Sequence, residues 1–340
     1  MVEGKLNVLL DLSFGSSGKG NVAAYLGSIN KLDLAIANHS PNAGHSIVYK
    51  NETKVVKMLP TSGIYCKDAN ILLGSGTVVD LTTLQKEIKE FDVTNRILIS
   101  ATAPVVNDYC REYEREHLQY IASTFQGTGA ALGLKAMRSQ QIKLVKDCPE
   151  LEKYCHHHIA DIILNRIGKH KYTGLCEIPQ GYGLTIDSEL YPFTTSRIVN
   201  VAQALAYLDV PTNIVGDVIG VTRTYPIRVG NVPTGYSGDT FFDSKEVTWA
   251  ELSNKINRQV LEMTSVTKRV RRVFTFSKYL FEMAVRRNNV NILFLTFVDY
   301  LLPKERREFI DYLTSSEFNF KEIYFVSGFW EHAKNIAKIR

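Results

Sequence analysis

Apolar runs of strand length recur along the chain: LNVLLDL (6–12), LDLAIAN (32–38), ANILLGSG (69–76), NRILISA (95–101), VNILFLTFV (290–298) and FKEIYFVSG (320–328). Runs with little polar alternation bury both faces, as parallel strands do when helices cover each side of their sheet. Helical patterns fall between them, at 80–90 and 199–208 among others. This alternation predicts an α/β fold: a mostly parallel central sheet with flanking helices and insertions. No repeat, low-complexity tract or Pro/Ser-rich linker interrupts the 340 residues, and 45% of them are hydrophobic, ample for a large core. Residues 1–340 are therefore expected to form one domain. The charged, helix-favouring segment from about 103 to 170 reads as a helical excursion from the sheet.

Ligands of open α/β sheets gather beyond the carboxyl ends of the strands. Four polar or glycine-rich turns fall there: GSSGKG (15–20), ANHSPNAGH (37–45), GSG (74–76) and TFVD (296–299). A net charge of +5 is mildly basic, and its single cluster is TKRVRRV at 267–273. That pattern favours small anions over a nucleic-acid track. Five cysteines without paired short spacing suggest reduced thiols, and hence a cytoplasm. The CHHH run at 155–158 has no second Cys/His pair near it, and its adjacent side chains diverge, so zinc is not expected there. Nothing approaches a cleavable signal or a membrane span.

The stretch FGSSGKGN (14–21) has the residue types of a phosphate cradle. Gly15, Gly18 and Gly20 let backbone amides approach an anion, Lys19 adds charge, and the helix that follows presents its positive end. It is not a Walker A loop, which places four residues between its first glycine and Gly-Lys where this chain has two. In NHSPNAGHSIV (38–48), Asn42, Gly44 and His45 form a turn after a strand, where a histidine can assist phosphoryl transfer.

Taken together, these two turns resemble the adenylosuccinate synthetase family, whose members carry Gly-Asp-Glu-Gly-Lys-Gly followed by Asn-Ala-Gly-His. Further segments are similar in the same order: STFQGTGAALGLKAMR (123–138), EIPQGYGLTIDSELYPFTTS (177–196), GVTRTYPIRVGNVPTG (220–235), TKRVRRV and LTFVD. The resemblance implies a P-loop-NTPase-like fold and a two-step, Mg²⁺-dependent ligase reaction. The purine 6-oxygen attacks the γ-phosphate of a nucleoside triphosphate, and the amine of L-aspartate then displaces the 6-phosphate. It also implies the site. Ser16, Lys19, His45 and Gln180 would be catalytic. Ser16, Ser17, Gly18, Lys19, Gly20, Gly44, His45, Phe297, Asp299 and Gly328 would bind the triphosphate, with Ser16 and Gly44 at the metal. Ser16, Asn42, Thr124, Gln180, Thr195 and Val229 would hold the purine monophosphate, and Arg138 would reach the 5′-phosphate in a partner subunit of a homodimer. Thr267, Arg269 and Arg271 would clamp aspartate.

Two departures from the family pattern bear on substrate. Ser16 stands where the family keeps the aspartate that takes a proton from N1 of inosine monophosphate, and a serine hydroxyl is a poor base. The smaller side chain leaves room for the 2-amino group of a guanine. A viral branch of the family does join aspartate to dGMP, giving N6-succino-2-amino-2′-deoxyadenylate for genomes with 2-aminoadenine. Phe297 replaces the lysine beside the base-reading aspartate, so ATP or dATP is expected as donor alongside GTP. Two alternatives stay open: an ordinary adenylosuccinate synthetase using inosine monophosphate and GTP, and a nucleotide-binding relative without catalysis.

Overall fold

The computed structural model describes residues 1–264, 269–328 and 335–340. Among them, a ten-stranded sheet organises the chain. Its strands are β1 (Leu6–Asp11), β2 (Leu34–Ala37), β3 (Asn70–Leu73), β4 (Ile97–Ser100), β5 (Cys155–His156), β6 (Gly174–Gly181), β7 (Val215–Arg223), β8 (Ile292–Thr296), β9 (Glu322–Val326) and β10 (Ile336–Lys338). They lie in the order β10-β9-β8-β7-β1-β6-β2-β3-β4-β5. Every neighbouring pair is parallel except β9–β10, which closes one edge antiparallel. The six apolar runs supply β1, β2, β3, β4, β8 and β9. The central position of β1 explains its composition: all six of its residues are buried, Leu9 among the residues packed on one face, Leu6, Val8 and Leu10 among those on the other.

Five helices frame the site or its approaches: α1 (Lys19–Ile29), α2 (Thr61–Tyr65), α3 (Leu81–Glu90), α4 (Asp108–His117) and α5 (Thr128–Ala136). The patterns at 80–90 and 199–208 appear as α3 and as the helix Val201–Leu208, each opened by a side-chain cap, Asp80 accepting from the Thr83 amide and Asn200 from that of Gln203. The 103–170 segment holds α4, α5 and several short helical turns, but it is not wholly an excursion. Its Cys155–His156 strand returns to pair with β4 at the sheet edge.

The β1–β6 pairing carries an irregularity that shapes the site. Leu9 faces Glu177 but Asp11 faces Gly181, so two steps along β1 match four along β6. The extra residues bulge beside the glycine loop and hold Gln180 at φ 66°, in the left-handed region. Gly181 then passes so close that a Cβ there would lie 2.2 Å from the amide nitrogen of Gly15.

Candidate functional site

Beyond the carboxyl ends of β1, β6, β7, β8 and β9 lies a cavity of about 480 Å³, within the range that holds small molecules. The loop Gly15–Gly18 forms its floor. Asp11, the last residue of β1, accepts hydrogen bonds from the Ser13 amide (2.8 Å) and the Ser17 amide (3.1 Å), tying the loop down from beneath. Burial pushes the Asp11 carboxyl up from its usual range, opposed by these hydrogen bonds and by the charge of Lys19. The sequence carried a signal for this role: Asp11 is the one charged residue of the central strand Leu6–Asp11.

Ser16 sits at the crest of the loop with φ 55°, exposed on the cavity wall. Ser17 is instead buried beneath the loop and does not line the cavity; its carbonyl accepts from Thr296 Oγ1 at 2.8 Å. Gly18, also left-handed, opens α1, whose amide-rich start faces the cavity at Lys19 and Gly20.

Lys19 is buried, and its ammonium has no hydrogen-bond partner among the described residues. Desolvation draws its pKa down, while the charges of Glu177 and Asp11 pull it back up. Glu177 is itself fixed, accepting from the Ser62 amide (2.8 Å), Ser62 Oγ (2.7 Å) and Thr61 Oγ1 (3.2 Å) at the start of α2. A buried cation whose donors are unspent is a receptor for an anion.

His45 begins a hairpin formed by His45–Tyr49 and Glu52–Val56, and Gly20 of α1 packs directly on it. Its Nε2 is buried without a partner among the described residues. The ring stacks on His39, with centroids 4.4 Å apart and planes 30° apart. Burial, then the Lys19 charge, then His39 hold His45 well below the usual histidine range, so the ring is neutral near pH 7. His39, likewise depressed by burial and by Lys19, does not itself line the cavity but backs His45, and motif reading did not single it out.

The remaining expected residues fall into three groups. Asn42, Gly44, Thr124, Gln180, Thr195, Val229, Arg271, Phe297 and Gly328 line the same cavity as Ser16, Gly18, Lys19, Gly20 and His45. Gln180 Nε2 donates to Asn42 Oδ1 at 3.1 Å, joining the β6 bulge to the turn before His45. Asp299, Arg138 and Arg269 do not line the cavity. The left-handed turn at Phe297 (φ 55°) leads Asp299 away to Arg258, whose Nη2 donates to it at 2.6 Å. Arg138 is exposed beyond the end of α5, and the Arg269 amide is bonded to Thr264 Oγ1. Thr267 lies outside the described residues. The GSG turn at 74–76 also stays off the cavity; Gly76 packs on the Tyr207 ring.

Of two arginines within GVTRTYPIRVG, Arg228 lines the cavity and Arg223 lies behind its lining. Arg228 is buried, donates to Ser237 and Phe193 carbonyls and stands 4.8 Å from the centre of the Phe14 ring. Arg223, fully buried, donates to the Ser16 carbonyl at 2.9 Å, forks onto Glu262 and covers one face of Phe297 at 3.8 Å. One side of the Phe297 ring is thus already occupied by a guanidinium.

The model of the adenylosuccinate synthetase family matches residues 8–159 and 141–306. The chain belongs to this family. It is 32% identical to the N6-succino-2-amino-2′-deoxyadenylate synthase of Vibrio phage phiVC8, over 88% of this chain and 87% of that protein. It is 30% identical to an adenylosuccinate synthetase of Methanococcus maripaludis, over 84% and 82% of the two chains. Among solved structures, the succinoaminodeoxyadenylate synthetase of cyanophage S-2L, bound to dGMP and to dATP as an energy donor, superposes with a TM-score of 0.85 at 30% identity, covering 99% of this chain and 96% of that one. The expected α/β architecture with a mostly parallel central sheet thus holds, in a family member whose glycine loop carries serine, not aspartate, at its crest.

Proposed function

We propose that the protein is a ligase that joins L-aspartate to C6 of dGMP, driven by ATP or dATP through a 6-phosphoryl intermediate, to give N6-succino-2-amino-2′-deoxyadenylate. The observation that carries this reading is Ser16, exposed on the cavity wall at the position of the family's proton-accepting carboxylate. A carboxylate there would crowd a 2-amino group beside N1; a hydroxyl leaves space and accepts a hydrogen bond from it. Support comes from the phage synthases and from the related structure that holds dGMP and dATP.

The residues divide the work. The loop amides and Lys19 neutralise the transferring phosphoryl group, and neutral His45 donates a hydrogen bond to it or to the 6-oxygen. Asn42, Gln180, Thr124, Thr195 and Val229 orient the purine nucleotide. Arg271, whose guanidinium burial draws down to about 10 against the pull of Glu262, remains a cation at neutral pH and takes a carboxylate of aspartate together with Thr267 and Arg269. Gly328, on the cavity, flanks the donor, whereas Asp299 is engaged by Arg258 outside it. Arg138, exposed and outside its own chain's cavity, is the residue that would reach a partner's site in a homodimer.

The oxygen donors at Ser16 and Gly44 suit a hard cation, and Asp11 is committed to two amides, so Mg²⁺ would be held by Ser16 and Gly44 and chiefly by phosphate oxygens and water. When bound it would offset charge on the triphosphate. No helix among the described residues is long and apolar enough to cross a membrane, and a host-cell cytoplasm is the proposed setting.

The test is turnover by the purified protein with Mg²⁺, aspartate and ATP, dATP or GTP, offered dGMP, GMP or inosine monophosphate. Succinyl product from dGMP is expected. Product from inosine monophosphate alone would establish the second reading, which the archaeal relatives favour, and no product from any purine would establish a binding protein. Ser16→Asp should lower kcat/KM for dGMP at least tenfold; unchanged or improved use of dGMP would remove the steric argument.

A further inference from the structure

Arg223, Glu262 and Arg271 form a charged cluster that neither half-site needs in isolation. Arg223 Nη1 donates both to the Ser16 carbonyl (2.9 Å), on the crest of the glycine loop, and to Glu262 Oε2 (3.1 Å), while Nη2 completes a fork onto Glu262 Oε1. Tyr300 Oη donates to the same Oε1 at 3.1 Å. The backbone of Glu262 continues the chain of contacts, its carbonyl accepting from the Arg271 amide at 2.9 Å. Ser16, Glu262, Phe297 and Arg271 all face the cavity, and the Arg223 side chain, with no exposed surface, has no solvent-exposed alternative to this geometry.

A planar guanidinium holds two partners in fixed directions, which a flexible ammonium does not. Here one partner is a main-chain carbonyl of the phosphate loop and the other a carboxylate on the segment that carries Arg271. A shift of the loop crest when phosphate groups bind must therefore move Arg223, and through Glu262 the backbone that aims Arg271. We infer that Arg223 and Glu262 are positioning residues that couple occupancy of the glycine loop to the posture of the amino-acid clamp. This rests on the reading of Arg271 as part of that clamp, but the coupling has a signature that needs no aspartate.

That signature is amide hydrogen exchange, measured on the wild type, Glu262→Gln and the milder Glu262→Asp, with and without dGMP plus a non-hydrolysable ATP analogue. In the wild type, nucleotides should slow exchange at the glycine-loop amides and, at least fivefold, at those of residues 269–272. In Glu262→Gln the loop should still be protected and 269–272 should not; Glu262→Asp, which keeps the charge and shortens the reach, should fall between. Equal protection of 269–272 in wild type and Glu262→Gln, or none there in the wild type, would overturn the coupling. Steady-state kinetics separate it from the functional reading: Glu262→Gln should raise KM for aspartate at least tenfold while KM for dGMP stays within twofold. A parallel rise in both constants would mark Glu262 as merely structural. Wild-type protein that shows the coupled protection yet makes no product with aspartate would sink the ligase reading and leave the coupling standing.

Discussion

Gly20→Ala adds a single methyl group at the second residue of α1, and its consequence follows from distances in the site. The new Cβ would stand 2.6 Å from His45 Cβ and 3.3 Å from both His45 Cα and Cγ. Carbon atoms pack at about 3.5–4.0 Å, so one partner must yield by roughly 1 Å. The methyl cannot swing aside, being fixed to the α1 backbone, and because His45 Cα is also touched the start of the hairpin must move with the ring. Overpacking of this kind costs about 1–3 kcal/mol, and replacing a helical glycine returns roughly 0.5–1 kcal/mol, so a net destabilisation of about 1–2 kcal/mol and a lowered melting temperature are expected. Catalysis should suffer as well. A reacting group misplaced by about 1 Å forfeits on the order of 10²-fold in rate, equivalent to about 2.7 kcal/mol of barrier. The assay is dGMP- and aspartate-dependent phosphate release, with dGMP affinity and the melting temperature measured alongside. A variant with kcat within threefold of wild type and an unshifted melt would show that contact between Gly20 and His45 does not position the histidine.

His39→Phe should keep the stack on His45 but remove a buried titratable ring. Because burial depresses His39 in the folded chain, the unfolded chain takes up its proton first as pH falls through about 6.5, and stability is lost from there down toward the folded value at up to about 1.4 kcal/mol per pH unit. Urea unfolding between pH 7.5 and 5 should therefore show a shallower decline for the variant; parallel curves would mean His39 titrates normally. Glu177→Gln should cost about 3 kcal/mol if the carboxylate is the charge that balances Lys19, whereas a loss below about 1 kcal/mol in denaturant unfolding would indicate that the folded protein keeps the acid protonated, the direction in which burial pushes it. Phe297→Leu should raise KM for ATP or dATP about tenfold through lost stacking while sparing KM for dGMP. An unaltered donor KM would assign Phe297 to support of Arg223 alone.

Much of the fold was legible because parallel strands buried on both faces must be apolar throughout. The runs that became β1, β2, β3, β4, β8 and β9 had no other comfortable place. Strands β6 and β7 were harder to see, since GLCEIPQG and VGDVIGVTR carry Glu177, Asp217 and Arg223 inside buried segments. Those charges are tolerated only because distant partners satisfy them: Ser62 and Thr61 for Glu177, Lys321 for Asp217, Ser16 and Glu262 for Arg223.

The glycine loop, the Asn-Ala-Gly-His turn and the arginine-rich segment could be read locally, because the geometry of backbone amides near glycine and the chemistry of forked guanidinium groups depend on short stretches of chain. By themselves they carried the family resemblance and named part of the cavity's lining, Ser16, Lys19, Asn42, His45 and Arg271 among it. Tertiary structure alone decided that Asp11 anchors the loop, that His39 stacks on His45, that Arg223 takes one face of Phe297, and that Asp299 turns away to Arg258. Each of those depends on a partner brought close by the folded chain, often from far along the sequence, and on which side chains lose water together when the sheet closes; neither quantity is written in local spacing.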